Sequence, residues 1–268
     1  MLFNKSVLLQ LALRRPYGVH SPFLYNLADK CIFSKEISPD FRLLEQKRKE
    51  LLVDQTEIYV LDFGHGPKKF SVRSGFDPIK YRRTVSKIAR NSLQTPGMCR
   101  LMWRLAKHFS PKNIIEIGTS LGITTTYLSN AAPESRIITL EGCPQTAARA
   151  EILFGECGAT NVELSLGLFE NTLPKALEQL EKLDMVYLDG DHSFKPVIQN
   201  FNTLLSYLHS GSVLVVDDIR WSKSMKEAWI EMASHPMVTL AVDLYKAGII
   251  FFNPGLSKQI VPVGFNFF

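Results

Sequence analysis

Residues 113–122, NIIEIGTSLG, combine an apolar β-branched run with a glycine-rich turn. The run is interrupted by Glu116 and stops at Gly118, and a helix-like segment, ITTTYLSNAA, follows the second glycine, Gly122. A strand that stops at glycines and continues as a helix is how an open α/β sheet forms a nucleotide-sized pocket. The stretch therefore predicts a strand–loop–helix unit that binds a nucleotide-like cofactor.

From Thr95 onward, strand-like and helix-like segments alternate, which predicts an α/β, Rossmann-like fold with a mostly parallel sheet. The turn-like segment YKAG (245–248) between the last two strands is too short for a crossover, so the sheet should end in an antiparallel pair. The predicted sheet has seven strands, at 113–117, 136–140, 161–166, 184–189, 211–217, 237–243 and 247–252.

The N-terminal third has a different pattern. Residues 1–94 are predicted to be a mainly helical lid or extension, and residues 95–268 the cofactor-binding domain. Ser21 and Ser38 each precede a proline, as helix N-caps do. The apolar start is predicted to be a packed amphipathic helix, because it is too short for a membrane span and lacks the features of a signal peptide. Residues 56–63 should form a short strand, followed by a turn-rich loop over 64–78.

Composition excludes several classes. The net charge of +5 over 268 residues lies in scattered basic pairs without interleaved aromatic residues, so no nucleic-acid partner is expected. The four cysteines show no metal-binding or disulfide spacing, which predicts reduced thiols and a cytoplasmic location.

The glycine spacing separates two classes of cofactor. A dinucleotide fingerprint needs G-x-G-x-x-G, and Ser120 stands where its second glycine would be. Glu116 instead suits a cationic ammonium or sulfonium ligand. Glu141 ends the second strand, where a carboxylate can accept both hydroxyls of a ribose. The alternatives are a ligand-free glycine loop and a surface carboxylate at a helix N-terminus.

These residues resemble the class I S-adenosylmethionine-dependent methyltransferases. EIGTSLG is similar to the first motif of that family, and Glu141 is similar to its ribose-binding acid. The resemblance as a whole covers residues 95–252. Leu168 departs from the family, many of whose members carry an acidic residue there. The resemblance implies S-adenosylmethionine as the cofactor, bound by Glu116, Gly118, Thr119, Ser120, Gly122, Glu141, Gly167, Leu168 and Asp189.

A second cluster follows the fourth and fifth predicted strands. Asp189 and His192 lie at the end of the fourth predicted strand, and Asp217 and Asp218 lie at the end of the fifth. The three aspartates could together hold Mg²⁺ or another divalent cation through oxygen ligands. Alternatively, the aspartates cap the following helices, and Asp191 and His192 bond each other across a turn.

The D-G-x-H pattern resembles a bacterial branch of the metal-dependent small-molecule O-methyltransferases. That resemblance implies catalytic roles for Asp189 and for His192, the latter as general base. Trp221 is a candidate wall of the acceptor site, the alternative being packing against the sheet. YGVHSPFLYNL (17–27) and DDIRW (217–221) also look like an uncharacterised group from Bacteroidetes-type bacteria.

The sequence thus predicts a methyltransferase that O-methylates a small-molecule acceptor, with divalent-metal assistance left open. A homodimer is the expected assembly, with no membrane span. The alternatives are an NAD(P)-dependent oxidoreductase on a Rossmann-like fold, a non-catalytic nucleotide-binding protein and, third, a nucleic-acid methyltransferase.

Overall fold

The computed structural model describes residues 21–62, 79–265 and 267. The helix expected at the chain start and the loop over 64–78 lie outside these residues. A π-helical turn (Ala28–Ile32) follows the first helix, and a 3₁₀ turn (Leu205–Tyr207) follows the eighth. The helices are α1 (Pro22–Leu27), α2 (Phe41–Val53), α3 (Val85–Ser92), α4 (Pro96–Phe109), α5 (Ile123–Ala131), α6 (Pro144–Cys157), α7 (Phe169–Glu178), α8 (Phe194–Leu204) and α9 (Lys223–Ser234). The strands are β1 (Glu57–Asp62), β2 (Ile79–Thr84), β3 (Asn113–Ile117), β4 (Arg136–Glu141), β5 (Val162–Leu166), β6 (Leu183–Leu188), β7 (Leu208–Val216), β8 (Leu240–Asp243), β9 (Gly248–Phe251) and β10 (Gln259–Pro262).

The main sheet has the order β10-β8-β9-β7-β6-β3-β4-β5. β9 runs antiparallel to both β7 and β8, and the other pairs are parallel. The mostly parallel sheet with an antiparallel pair is confirmed. The expected number of seven strands is wrong, because β10 adds an eighth strand beside β8. β10 is a short, half-exposed edge strand that ends at Pro262, so it lacks the apolar run that marks the other strands.

A separate two-stranded sheet pairs β1 with β2 in antiparallel register. The sequence predicted β1 and missed β2. The reason is that IKYRRT carries three cations, Lys80, Arg82 and Arg83, where an apolar alternation would have marked a strand. The small sheet lies against α6, since the Leu61 amide donates to Cys143 Sγ at 3.4 Å.

The two expected serine N-caps have different outcomes. Ser21 caps α1, because its Oγ accepts the Leu24 amide at 3.3 Å. Ser38 does not cap α2. That helix begins after Asp40, and Ser38 Oγ instead donates to Asp40 Oδ2 at 3.1 Å, stabilising the turn before the helix.

The sheet separates two hydrophobic cores, and β3 contributes alternate residues to each. Ile115 and Ile117 pack with α7, α8 and α9 on one face. Ile114 packs with α1, α4 and α5 on the other. Glu116 shares the face of Ile114 and is completely buried beneath α5. A carboxyl group at that position needs a functional or hydrogen-bonding reason.

The parallel strands β3, β4, β6 and β7 end at the same edge of the sheet. This edge therefore collects the loops that follow the four strands, which begin at Gly118, Gly142, Asp189 and Asp217. In an open α/β sheet this is the edge where ligands bind. Among the described helices, none has both the length and the apolar character needed to cross a bilayer.

Candidate active site

The loop after β3 is held between the ends of β4 and β6. The amides of Gly118 and Thr119 both donate to the Leu140 carbonyl, at 3.0 and 3.1 Å. Gly118 has a φ of +102°, and a Cβ atom there would lie 2.5 Å from the Asp189 carbonyl oxygen. Only glycine fits such a backbone and such an approach. Gly118 therefore brings the predicted cofactor loop into direct contact with the first residue of the acidic cluster.

Glu116 lies beneath this loop with its carboxyl group partly satisfied. Thr125 and Thr139 donate their hydroxyls to Oε2, at 2.5 and 2.6 Å. Oε1 is buried and has no hydrogen-bond partner among the described residues. Burial raises the pKa of Glu116 from 4.5 to about 7, against the lowering effect of the two threonine hydroxyls. An ammonium group would satisfy Oε1, so this residue fits the methionine end of S-adenosylmethionine.

Glu141 sits at the end of β4, facing the same loop. Its Oε2 accepts the Ser120 amide and its Oε1 accepts the Cys143 amide, both at 2.8 Å. These two bonds fix the plane of the carboxylate and leave each oxygen a further lone pair. Burial raises the pKa of Glu141, while its backbone donors oppose the shift. The arrangement suits acceptance of ribose hydroxyls.

The remaining predicted cofactor residues take different positions. Thr119 is buried with its hydroxyl 2.6 Å from that of Thr139, which in turn donates to Glu116. Gly122 faces α6, where a Cβ would lie 2.7 Å from the Phe154 ring. The Gly167 amide donates to the Glu141 carbonyl at 2.9 Å, and Leu168 follows as the N-cap residue of α7. Gly167 and Leu168 thus border Glu141.

Asp189 and Asp217 lie side by side beneath a shared set of donors. Gln94 Nε2 donates to Oδ2 of both aspartates, at 2.8 Å for Asp189. The Tyr187 hydroxyl is 3.1 Å from Asp189 Oδ2 and 3.3 Å from Asp217 Oδ2. Asp217 is 1% exposed, and its Oδ1 has no partner among the described residues. Burial, and then the neighbouring aspartates, raise the pKa of both carboxyl groups.

Asp218 and His192 form the outer part of the cluster. His192 Nε2 lies 3.1 Å from Asp218 Oδ2 and 4.0 Å from Asp189 Oδ1. One ligand atom from each of these three residues falls within 4.8 Å of the others, close enough to share a metal ion. The structure therefore adds His192 to Asp189 and Asp218. Asp217, the third expected ligand, is not part of this converging group; it shares the donors Gln94 and Tyr187 with Asp189.

Two alternatives for these side chains can be compared with the geometry. Asp191 Oδ1 accepts from the Ser193 amide and hydroxyl, at 3.0 and 2.7 Å, so Asp191 and His192 have separate partners. Trp221 is 70% exposed, in front of α9. Its ring lies edge-to-face with that of His192, with centroids 6.0 Å apart. Trp221 is thus available to a ligand at the mouth of the site.

Three residues at this site were not singled out as functional from the sequence. Gln94 precedes α4, Tyr187 lies inside β6 and was assigned to the core, and Lys246 lies in the β8–β9 turn. Each is far from the acidic motifs in the sequence or hidden within an apolar run. Gln94 and Lys246 lie between regular elements, so no hydrophobic periodicity marks them in the sequence. Only the folded sheet brings their side chains to the acidic cluster.

Residues 115–219 match the profile of a protein family described as a methyltransferase domain. Over this segment the chain is similar to a methyltransferase domain. The resemblance to class I S-adenosylmethionine-dependent methyltransferases, inferred from EIGTSLG and Glu141, is thereby confirmed. The matched segment runs from within β3 into the loop after β7.

Two named O-methyltransferases are similar to part of this chain. A catechol O-methyltransferase of Niastella koreensis is 30% identical over 128 residues, which cover 47% of this chain and 57% of the relative. A probable O-methyltransferase of Mycobacterium tuberculosis is 29% identical over 119 residues, covering 41% of this chain and 50% of the relative. The matches thus span about half the length of these relatives.

Solved structures share the fold of this chain. An O-methyltransferase from Bacillus cereus, crystallised in complex with S-adenosylhomocysteine (SAH), superposes with a TM-score of 0.55 at 16% identity. The superposition covers 84% of this chain and 94% of that one. A cofactor-bound protein of Mycobacterium tuberculosis gives a TM-score of 0.55 at 18% identity, over 86% and 94% of the two chains. The methyltransferase fold thus extends over most of the chain.

Proposed function

We propose that this chain transfers a methyl group from S-adenosylmethionine to a hydroxyl of a small-molecule acceptor. The observation that carries the proposal is the packing of Gly118 against the Asp189 carbonyl. It makes the cofactor loop and the acidic cluster two walls of one site. A methyl donor on one side would then face an activated hydroxyl on the other.

Two carboxyl groups support the choice of cofactor. Glu116 presents a buried oxygen that has no partner among the described residues and that an ammonium can satisfy, and Glu141 presents an oriented carboxylate to a ribose. Ser120 has a φ of +50° and supplies its amide to Glu141, so that amide is not free for a pyrophosphate. When bound, S-adenosylmethionine supplies an electrophilic sulfonium methyl group.

His192 is the proposed general base. A neutral imidazole that donates Nε2–H to Asp218 keeps a lone pair on Nδ1 for the acceptor proton. Asp218 then fixes the tautomer and stabilises the imidazolium that forms. Asp189 Oδ1 lies 4.0 Å from the same nitrogen.

The acidic cluster fits a divalent cation. Asp189, His192 and Asp218 converge, and Asp217 has a buried oxygen with no partner in the part of the chain that the structure describes. Oxygen-rich sets of this kind suit Mg²⁺ or Mn²⁺. Such an ion, held by Asp189 and Asp218 with Asp217 alongside, would act as a Lewis acid toward the acceptor hydroxyl. His192 can act as base or as ligand, and the two roles make different predictions for metal binding.

The acceptor is proposed to be a small aromatic with vicinal hydroxyls. Trp221 offers an exposed aromatic face beside His192, and one relative is named a catechol O-methyltransferase. An aromatic acceptor stacked on this side chain would have its ring hydroxyls near His192, which supports the proposal.

The test is turnover of S-adenosylmethionine with catechol, other small phenols and non-aromatic alcohols, each assayed with Mg²⁺ and with EDTA. The proposal predicts SAH formation that depends on a hydroxylated acceptor and falls in EDTA. Cofactor binding without turnover of any acceptor would favour a non-catalytic binding protein. Analytical ultracentrifugation would test the predicted homodimer.

A further inference from the structure

Lys246 occupies a fixed place in the turn between β8 and β9, directly above the acidic cluster. Its carbonyl accepts the Ile219 amide at 2.9 Å, and its own amide donates to the Leu244 carbonyl at 3.1 Å. Because Ile219 follows Asp218, the backbone of Lys246 is tied to the loop that carries the aspartates. The position of this lysine is therefore set by the sheet.

The side chain of Lys246 reaches back toward the carboxylates. Nζ lies 3.2 Å from Gln94 Oε1 and 3.9 Å from Asp218 Oδ1. Gln94 Nε2 in turn donates to Asp189 and Asp217. One amide side chain thus links an ammonium on one side with two buried carboxyl groups on the other.

The neighbouring guanidinium does not share this task. Arg220 donates from both terminal nitrogens to the Asp243 carboxylate and lies over the Tyr245 ring. Of the described cations in ion-pair contact with Asp189, Asp217 or Asp218, Lys246 is the one that is not a histidine. Its positive charge offsets part of the negative charge of the cluster.

We propose that Lys246 is a resident counter-cation that competes with a divalent metal ion for the carboxylates of this site. The inference rests on the metal-assisted form of the proposed function. Asp218 is the shared group: its Oδ2 faces His192 and the converging ligand atoms, while its Oδ1 faces the ammonium. A divalent ion at the cluster and the ammonium of Lys246 repel each other, and both are attracted to the negative charge of the Asp218 carboxylate.

The half-exposed side chain of Lys246 makes such competition reversible. It is 34% exposed, so its flexible stem can swing Nζ into solvent when a metal ion binds. Gln94 would then lose the cation on Oε1 while keeping its bonds to Asp189 and Asp217. The affinity of the site for metal is in this way set below what its carboxylates alone would give.

The experiment measures Mn²⁺ binding by titration calorimetry and by the electron paramagnetic resonance signal of free Mn²⁺. The variants are Lys246→Met and Lys246→Gln, which remove the charge, and Lys246→Arg, which keeps it. Lys258→Met is the matched control. It deletes one charge at the opposite edge of the sheet, where Lys258 Nζ contacts the carbonyls of Ser234 and His235 at 3.0 Å.

The proposal predicts that both neutral variants bind Mn²⁺ about tenfold more tightly than the wild type. Lys246→Arg and Lys258→Met should bind like the wild type. Unchanged or weaker binding by both neutral variants overturns the proposal, as does an equal gain in Lys258→Met. The absence of Mn²⁺ binding in every variant also overturns it.

SAH binding, measured on the same samples, separates this inference from the proposed function. If the protein binds SAH but gives any of the overturning results, Lys246 does not compete with the metal ion. The methyltransferase proposal is then unaffected. If the wild-type protein does not bind SAH, the proposed function is contradicted instead.

Discussion

His192 Nε2 lies 3.1 Å from Asp218 Oδ2, although the two residues follow different strands, β6 and β7. Asp218 has a φ of +50°, an uncommon backbone for a residue other than glycine, asparagine or aspartate, and its side chain meets the imidazole there. The pair joins the acidic cluster to the open mouth of the site.

Replacing His192 should separate proton transfer from binding. We expect His192→Ala to lower kcat by about 10²–10⁴-fold, because general-base catalysis contributes on that order. SAH affinity should remain at the wild-type level. The measurement is steady-state SAH formation with the best acceptor, beside calorimetric SAH binding.

Mn²⁺ binding by His192→Ala then assigns the role of the imidazole. If His192 is only a base, His192→Ala should bind Mn²⁺ as tightly as the wild type. Asp218→Asn is the comparison, and this variant should bind Mn²⁺ more weakly. If His192→Ala turns over acceptor at the wild-type rate, the base assignment is wrong.

The burial of Glu116 predicts that cofactor affinity rises with pH. The pKa of this carboxyl group is about 7 in the free protein, and an ammonium beside it favours the ionised form. Binding therefore releases a proton below pH 7, so SAH should bind roughly tenfold more weakly at pH 6 than at pH 8. Glu116→Gln should flatten this dependence and weaken binding at pH 8. Glu163→Gln, at an exposed carboxylate, should keep the wild-type slope.

The carboxyl group of Glu116 also makes the free energy of unfolding depend on pH. A carboxyl whose pKa is raised in the folded state contributes stability fully below its unfolded value of 4.5, and that contribution is lost as the pH rises through about 7. Glu116→Gln should thus be more stable than the wild type at pH 8, by at most about 3 kcal/mol. Denaturant unfolding of the ligand-free proteins at pH 5 and pH 8 measures this. A loss of stability at pH 8 would contradict the assignment.

Gly118→Ala tests the close approach between the two walls of the site. The added methyl group would lie 2.5 Å from the Asp189 carbonyl oxygen at a φ of +102°. We expect a loss of about 2 kcal/mol in the free energy of unfolding and loss of SAH binding. Gly155→Ala is the control, because its added methyl group meets no atom within 4 Å in α6. That control should be neutral or stabilising by up to about 1 kcal/mol, and equal behaviour of the two variants would refute the packing argument.

The exposure of Trp221 predicts an effect on the acceptor without an effect on the fold. Trp221→Ala should change the free energy of unfolding by less than about 0.5 kcal/mol. The KM for an aromatic acceptor should rise, with SAH affinity unchanged. Trp229→Ala, at a tryptophan 3% exposed in the core, should cost about 3–5 kcal/mol. An unchanged KM in Trp221→Ala would remove this residue from the acceptor site.

The seven principal strands could be located from the sequence because each is a short apolar run bounded by turns or helices. β2 and β10 could not, since one is rich in cations and the other is a short, half-exposed edge strand. Glu116 was marked because it interrupts the apolar run of β3 just before the glycine loop. The short YKAG segment, in the same way, fixed the antiparallel pair.

The acidic cluster was predicted as a group because Asp189, His192, Asp217 and Asp218 follow neighbouring parallel strands. The bonds made by Gln94 and Lys246 were not predictable, because each comes from a turn whose position relative to the cluster depends on long-range packing. Gln94 also depends on a buried arginine, since Arg48 of α2 donates to its carbonyl oxygen. Such contacts join segments that no local pattern connects.

Calorimetric titration of SAH and NAD into the wild-type protein and Glu141→Gln tests the central claim most directly. The account predicts that the wild type binds SAH and not NAD. It also predicts that Glu141→Gln binds SAH about tenfold more weakly, because the ribose hydroxyls lose a charged acceptor. Binding of NAD without binding of SAH, or SAH affinity indifferent to Glu141, would contradict it.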